Sequence, residues 1–164
     1  MQPVRLELLQ RMPIFGAIRD DALLFLLAQA REVSVAAGAY FFRENDPAQS
    51  MFVLESGHVV VFKPWQGRDF VLQRFDAGDC FGEMALMDLC PRSASVRAET
   101  DCVAIELGTG DLLRLFERDA EQFALIQMNM GREVCRRLRA TDEMLFRARM
   151  GEVPPRPSDP LRRA

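Results

Sequence analysis

The spacing of apolar positions changes period twice along the chain. From Val4 to Phe15 apolar residues fall at Leu6, Leu9, Met12 and Phe15, the spacing of one helical face, and Pro13 breaks the run. A second helix is expected from Asp20 or Asp21, either of which can cap its first free N–H groups, through Leu23, Leu24, Leu26 and Leu27 to about Ala30. From Arg31 the period becomes two. Val33 with Val35, Tyr40 to Phe42, Met51 to Leu54, Val59 to Phe62, Phe70 to Phe75, Ala94 to Ala98 and Val103 to Leu107 read as short strands. Gly38, Asn45-Asp46-Pro47, Gln66-Gly67-Arg68 and Ala77-Gly78-Asp79 punctuate them as turns, and Asn45 tolerates the left-handed backbone that a corner demands. Ser56-Gly57-His58 carries the pattern of a hairpin joining its two flanking strands.

The helical period returns after Gly108-Thr109-Gly110. Asp111 is expected to cap a short helix through Leu112, Leu113, Leu115 and Phe116, and a long helix follows from about Ala120 to Arg149. On the long helix Phe123, Ile126, Met130, Val134, Leu138, Thr141 and Leu145 recur every three or four residues, with Arg132, Glu133, Arg136, Arg139, Glu143 and Arg147 on the remaining faces. A stripe of that length has two coverings: a second copy of the same helix packed in coiled-coil fashion, or the chain's own barrel if the helix folds back. Residues 151–164 contain four prolines and little to bury, so a disordered tail is expected there. Together these elements predict a mainly β protein with α: an antiparallel β jelly-roll barrel over residues 31–110, an N-terminal helical segment over 1–30, and C-terminal helices over 111–150.

Composition narrows the function. A chain of 164 residues, 49% of them hydrophobic, buries a core without disulfides or metals. Its net charge of −3 gives no long basic surface for nucleic acid, and no apolar run is long enough to cross a bilayer. The N-terminus lacks the apolar stretch of a signal peptide, so a soluble cytoplasmic protein is expected. Cys80, Cys90, Cys102 and Cys135 form no CxxC pair, and the single histidine, His58, sits at a turn. No metal site and no catalytic constellation can be assembled from such residues, and the four cysteines read as free thiols. Cys90 stands beside Pro91-Arg92, where oxidation would disturb a binding site.

The densest chemistry lies between Phe81 and Ala98. Gly82 lets backbone approach a ligand closely, and the short helical run Glu83-Met84-Ala85-Leu86-Met87 points free N–H groups at whatever precedes it. Past Pro91, Arg92 adds a fixed cation whose planar fork matches two phosphate oxygens. An acid beside an anion seat repels a bare phosphate, so Glu83 is read as an acceptor for a sugar hydroxyl; the alternative is that Glu83 and Arg92 pair with each other. Phosphate and ribose hydroxyl side by side describe a cyclic nucleotide.

Phe81-Gly82-Glu83-Met84-Ala85-Leu86 and Pro91-Arg92-Ser93-Ala94-Ser95-Val96-Arg97-Ala98 resemble the phosphate-binding cassette of the cyclic-nucleotide-binding domain family, of the catabolite activator protein type. The resemblance implies that Glu83 holds the ribose 2′-hydroxyl and Arg92 the cyclic phosphate, with Gly82, Met84, Ala85 and Ser93 completing the ligand site. The stretch Arg136-Arg137-Leu138-Arg139-Ala140-Thr141 resembles the part of the family's long helix where a threonine bonds the base, which makes Thr141 either the base reader or a packing residue. A serine that reaches the other subunit's ligand in that family is Asp142 here, so that contact is not expected. The family's helical bundle moves when ligand binds, and its transcription factors continue past the long helix with a helix-turn-helix domain, for which the residues after Met150 give no pattern. The expected function is a non-enzymatic regulatory module that binds cyclic AMP, with cyclic GMP open because Ser93 can face a guanine, and that signals through its C-terminal helix to an unknown protein effector as a homodimer. A ligand-independent structural adaptor and the sensor fragment of a larger regulator are the alternatives.

Overall fold

The computed structural model describes residues 2–151, so the expected tail beyond Gly151 lies outside the described residues. Helix α1 covers Gln2–Gln10, and Pro13 opens a separate 3-10 turn over Pro13–Phe15, so the first apolar face is split in two. Helix α2 covers Asp20–Gln29. Its N-cap is Arg19, and neither aspartate caps it. The Asp20 carboxylate accepts from Gln10 Nε2 at 2.7 Å and the Asp21 carboxylate from Arg19 Nε at 3.2 Å. Both acids stand inside the first turn, where negative charge meets the positive end of the helix dipole.

Eight strands follow: β1 Arg31–Val35, β2 Tyr40–Phe42, β3 Ser50–Ser56, β4 His58–Trp65, β5 Arg68–Asp76, β6 Cys80–Phe81, β7 Ser95–Ala98 and β8 Cys102–Gly108. They form two four-stranded antiparallel sheets, ordered β1-β8-β3-β6 and β2-β7-β4-β5. The expected hairpin at Ser56-Gly57-His58 is therefore corrected, because β3 pairs with β8 and β6 while β4 pairs with β5 and β7. Gly57, at φ 92, turns the chain out of one sheet and into the other, and a Cβ there would stand 2.5 Å from the Asp101 carbonyl oxygen. A glycine between two alternating runs announces a turn; it does not say whether the runs pair.

Between the sheets Phe52, Leu54, Val59, Phe75, Phe81 and Val96 make one core, with the Phe52 and Phe81 rings stacked at 5.4 Å. The opposite face of the first sheet supplies Met51, Val53, Ile105 and Leu107 to a second core with Leu9, Phe15, Leu23 and Met130 of the helices. Strand β3 is thus buried on both faces, which explains its unbroken apolar run.

Three further helices complete the described residues: α3 over Met84–Asp88, α4 over Thr109–Arg118 and α5 over Ala120–Arg149. Asp111 stands inside α4, with Gly108 at the N-cap; its carboxylate reaches back to accept the Gly108 N–H at 2.7 Å. Asp119 caps α5 by accepting from the Gln122 N–H at 3.1 Å. The first half of α5 is fixed to the N-terminal segment, since Gln122 Oε1 accepts from the Arg19 N–H at 2.8 Å and Asn129 Nδ2 donates to the Gly16 carbonyl at 2.8 Å. The second half does not fold back over the barrel: Leu138, Leu145 and Phe146 are all exposed. All four cysteines are free, Cys80 and Cys102 buried, Cys90 and Cys135 exposed. Among the described residues no helix is long and apolar enough to cross a membrane, and no metal-binding cluster is formed.

Candidate functional site

The site is built where β6 runs into α3 and where the loop after α3 enters β7. Gly82 leaves β6 at φ 80, a left-handed conformation that suits a residue without Cβ. Helix α3 is a short segment closed by Leu89 in the left-handed conformation, whose N–H bonds the Ala85 carbonyl at 3.2 Å. The chain then passes Pro91 and returns to the sheet. A corner at Asn45, φ 70, clamps the backbone of the returning segment from the other side: Asn45 N–H donates to the Arg92 carbonyl at 2.8 Å and Arg92 N–H to the Asp46 carbonyl at 3.0 Å. The buried Ser95 hydroxyl adds a third tie by accepting the Glu44 N–H at 2.9 Å.

Held by this clamp, the Arg92 side chain points inward and is only 5% exposed. Nη1 donates to the Gly82 carbonyl at 3.1 Å, Nη2 to Ser50 Oγ at 3.4 Å, and the guanidinium carbon lies 3.9 Å above the centre of the Phe42 ring. Nε, also buried, has no hydrogen-bond partner, and among the described residues no carboxylate pairs with Arg92. Burial pulls the Arg92 pKa below that of a free guanidinium, with Glu106, Asp46 and Glu83 opposing, and a guanidinium stays charged at any physiological pH all the same. A buried cation with an idle donor is the converse of the usual rule that buried charges are paired, and an anionic oxygen is what it lacks.

Glu83 is 1% exposed and does not pair with Arg92. Its partner is Arg137 of α5, whose Nη1 bonds Glu83 Oε1, whose Nη2 donates to the Cys80 carbonyl at 3.1 Å, and whose Nε reaches Glu133 Oε1 at 3.2 Å. Hydrogen bonds from Arg136, aided by the charge of Arg137, hold the Glu133 carboxyl below the usual carboxylate range. The thiol of Cys80, beneath this group, is pushed up to about 12 by burial and by the negative charge of Glu83, which leaves it neutral and unreactive.

Of the expected site residues, the structure brings Gly82, Glu83 and Arg92 into one cassette; Ala85 is buried within α3, while Met84 and Ser93 are exposed. Thr141 lies one turn beyond Arg137 on α5, is exposed, and donates its hydroxyl to the Arg137 carbonyl at 3.0 Å. Sequence reasoning missed Arg137, Ser50 and Phe42. The i,i+4 pair Glu133 and Arg137, set beside the apolar stripe of α5, was the available pointer to the first. Nothing in the local pattern of β2 or β3 pointed to the other two.

The fold and the sequence both match known proteins. The family model described as the cyclic nucleotide-binding domain matches residues 32–119. A cAMP-dependent protein kinase regulatory subunit of Emericella nidulans is 32% identical over 107 residues, covering 65% of this chain and 26% of that protein. A CRP-like cAMP-activated global transcriptional regulator of Mycobacterium tuberculosis is 29% identical over 151 residues, covering 92% of this chain and 66% of that protein. The chain therefore spans about a quarter of the kinase subunit and about two thirds of the regulator. Among solved structures, the N-terminal domain of a transcriptional regulator from Streptomyces coelicolor superposes with a TM-score of 0.69 at 32% identity, over 83% of this chain and 92% of that one. With the family match running over more than half of the sequence and through the whole cassette, the chain belongs to the cyclic nucleotide-binding domain family.

Proposed function

We propose that this protein is a regulatory sensor of cyclic AMP that couples ligand binding to the position of α5 and thereby to a protein effector. The observation that carries the reading is the buried Arg92 guanidinium with, among the described residues, an unpartnered Nε and no carboxylate of its own. A cyclic phosphate supplies the missing anion. Arg92 takes its oxygens through charge-assisted bonds, each contributing about 1.5–3 kcal/mol in a partly dry site. Gly82 and the amides of Met84 and Ala85 line the phosphate from the cassette side, and Ser93 adds a hydroxyl. Glu83 accepts from the ribose 2′-hydroxyl, and Thr141 turns from its own helix to the base.

Two covers stand in the way of a nucleotide. Arg137 holds α5 down on Glu83, and Phe42 and the Gly82 carbonyl hold Arg92 in. For a nucleotide to reach both side chains, Arg137 must let go of Glu83 and Arg92 must exchange its Gly82 bond for the phosphate, so exchange of ligand and motion of α5 are one event. Because the two helix positions bind ligand differently, their populations follow ligand concentration. The exposed second half of α5, with Leu138, Leu145 and Phe146, is the surface offered to a second copy of the chain. Similarity to a cAMP-dependent kinase regulatory subunit and to a cAMP-activated transcriptional regulator supports cyclic AMP as the ligand and a regulatory role. Cyclic GMP is the second candidate, through the Ser93 hydroxyl.

Calorimetry tests the reading. Cyclic AMP binds the unaltered protein, Arg92→Ala weakens binding by about two to three powers of ten without unfolding the protein, and 2′-deoxy cyclic AMP binds much more weakly than the parent. Equal affinity in the Arg92 variant removes the proposal, and equal affinity for the deoxy analogue removes the role of Glu83.

A further inference from the structure

Strand β8 breaks its own pattern at Glu106. Cys102 and Ala104 face the core between the sheets, and by the alternation of a strand Glu106 faces the same way. An apolar residue is expected there. The neighbouring strands show what the acid meets. Arg31 stands directly opposite on β1, Phe52 opposite on β3, and Ser50, two residues from Phe52, shares its face. Four side chains then form a row across the end of the first sheet. Arg31 Nε donates to Glu106 Oε2 at 3.0 Å, the Ser50 hydroxyl donates to Glu106 Oε1 at 2.8 Å, and Arg92 Nη2 donates to Ser50 Oγ at 3.4 Å.

The direction of the middle bond is fixed by chemistry. Glu106 as a carboxylate only accepts, so the single Ser50 proton goes to it, and the Ser50 lone pairs are left facing Arg92, which only donates. Ser50 thus turns the oxygen end of its dipole toward Arg92 while its proton goes to Glu106. Among the charges that favour the Arg92 cation, that of Glu106 is the largest.

We propose that Glu106, acting through Ser50, is the positioning residue of Arg92: it stabilises the buried guanidinium without pairing with it, and so keeps Arg92 charged, aimed and free to take an anion. A direct ion pair would stabilise the cation equally well but would occupy the donors that a phosphate needs. A relay through a hydroxyl leaves the Nε proton and one proton on each of Nη1 and Nη2 for the ligand. The inference rests on the reading of Arg92 as the phosphate holder, and its test has one arm that does not depend on that reading.

The first arm is urea unfolding of the protein without nucleotide. Glu106→Gln lowers the midpoint in the Arg92 background; in the Arg92→Met background it shifts the midpoint no more than Arg31→Gln does, since only the outer pair is then lost. The second arm is calorimetry with cyclic AMP. Glu106→Gln and Ser50→Ala each weaken binding by about tenfold, the double variant weakens it no more than either alone, and Ser50→Thr, which keeps the hydroxyl, restores it. Additive effects in the urea cycle overturn the relay. Unchanged affinity in Glu106→Gln, where the unaltered protein binds, overturns its role in positioning. If the unaltered protein takes up no cyclic AMP, the proposed function fails and the urea cycle alone decides the relay.

Discussion

Gly82 bears the tightest steric demand in the site. A Cβ at that position would lie 2.7 Å from Arg92 Nη1 and 3.4 Å from the Phe42 ring, and the backbone φ of 80° is one that side chains disfavour. Gly82→Ala is therefore expected to destabilise the fold by about 1–3 kcal/mol, to push Arg92 out of its seat, and to weaken cyclic AMP by at least about tenfold. Urea unfolding and calorimetry on the same sample check it; undiminished affinity means that the Arg92 seat has slack. Gly82, Glu83 and Arg92 were legible in the sequence because they lie within one short stretch around a proline. Arg137 and Ser50 were not, being 54 positions from Glu83 and 42 from Arg92, and only folding brings them within bonding distance. The expected choice for Glu83 lay between a ligand and Arg92. The fold supplied a third partner on another element.

At the scale of the element, α5 does two jobs along its length. Its first half is locked to the N-terminal segment through Gln122 and Asn129, and its second half presents Leu138, Leu145 and Phe146 to solvent. Leu138 and Leu145 are seven residues apart, two turns along one face, which is the repeat of a coiled-coil seam. The proposed dimer is tested by Leu145→Glu combined with Phe146→Glu. Sedimentation is expected to give a dimer for the unaltered protein and a monomer for the variant, with cyclic AMP still bound by the monomer. A monomer in both cases removes the seam. The bounds of α5 were readable from periodicity alone, and Asp119 caps it in the position where a capping acid is favoured. The caps of α2 and α4 were misread for one shared reason: an aspartate near a helix start can serve as the cap or stand in the first turn, and its place depends on the backbone of the residue before it. Arg19 and Gly108 are the extended residues in these two cases.

The whole molecule is tied across its two cores by charge as well as by packing. Glu133 and Glu83 are joined through Arg137, and this group lies where α5, β6 and the cassette meet. The Glu133 carboxyl is held low by Arg136 first and by Arg137, so it binds its proton less readily when folded than when unfolded. Its contribution to stability is then fully present above about pH 4.5, the ordinary value for such a carboxyl, and is lost as the pH falls through the depressed one. Urea midpoints measured from pH 7 to pH 3 are expected to fall more steeply in the unaltered protein than in Glu133→Gln. Parallel curves mean that Glu133 titrates alike in both states.

The sequence alone determined the kinds of element, their order and the family to which the stretch around Gly82 and Arg92 belongs, because periodicity, turn residues and a compact motif are local properties of a chain. Tertiary structure decided which strands share a sheet across Gly57, which arginine answers Glu83, and that Arg92 sits buried with no carboxylate of its own among the described residues. Each of these depends on atoms that are far apart along the chain, and only the closing of two sheets and the docking of α5 sets the distances between them.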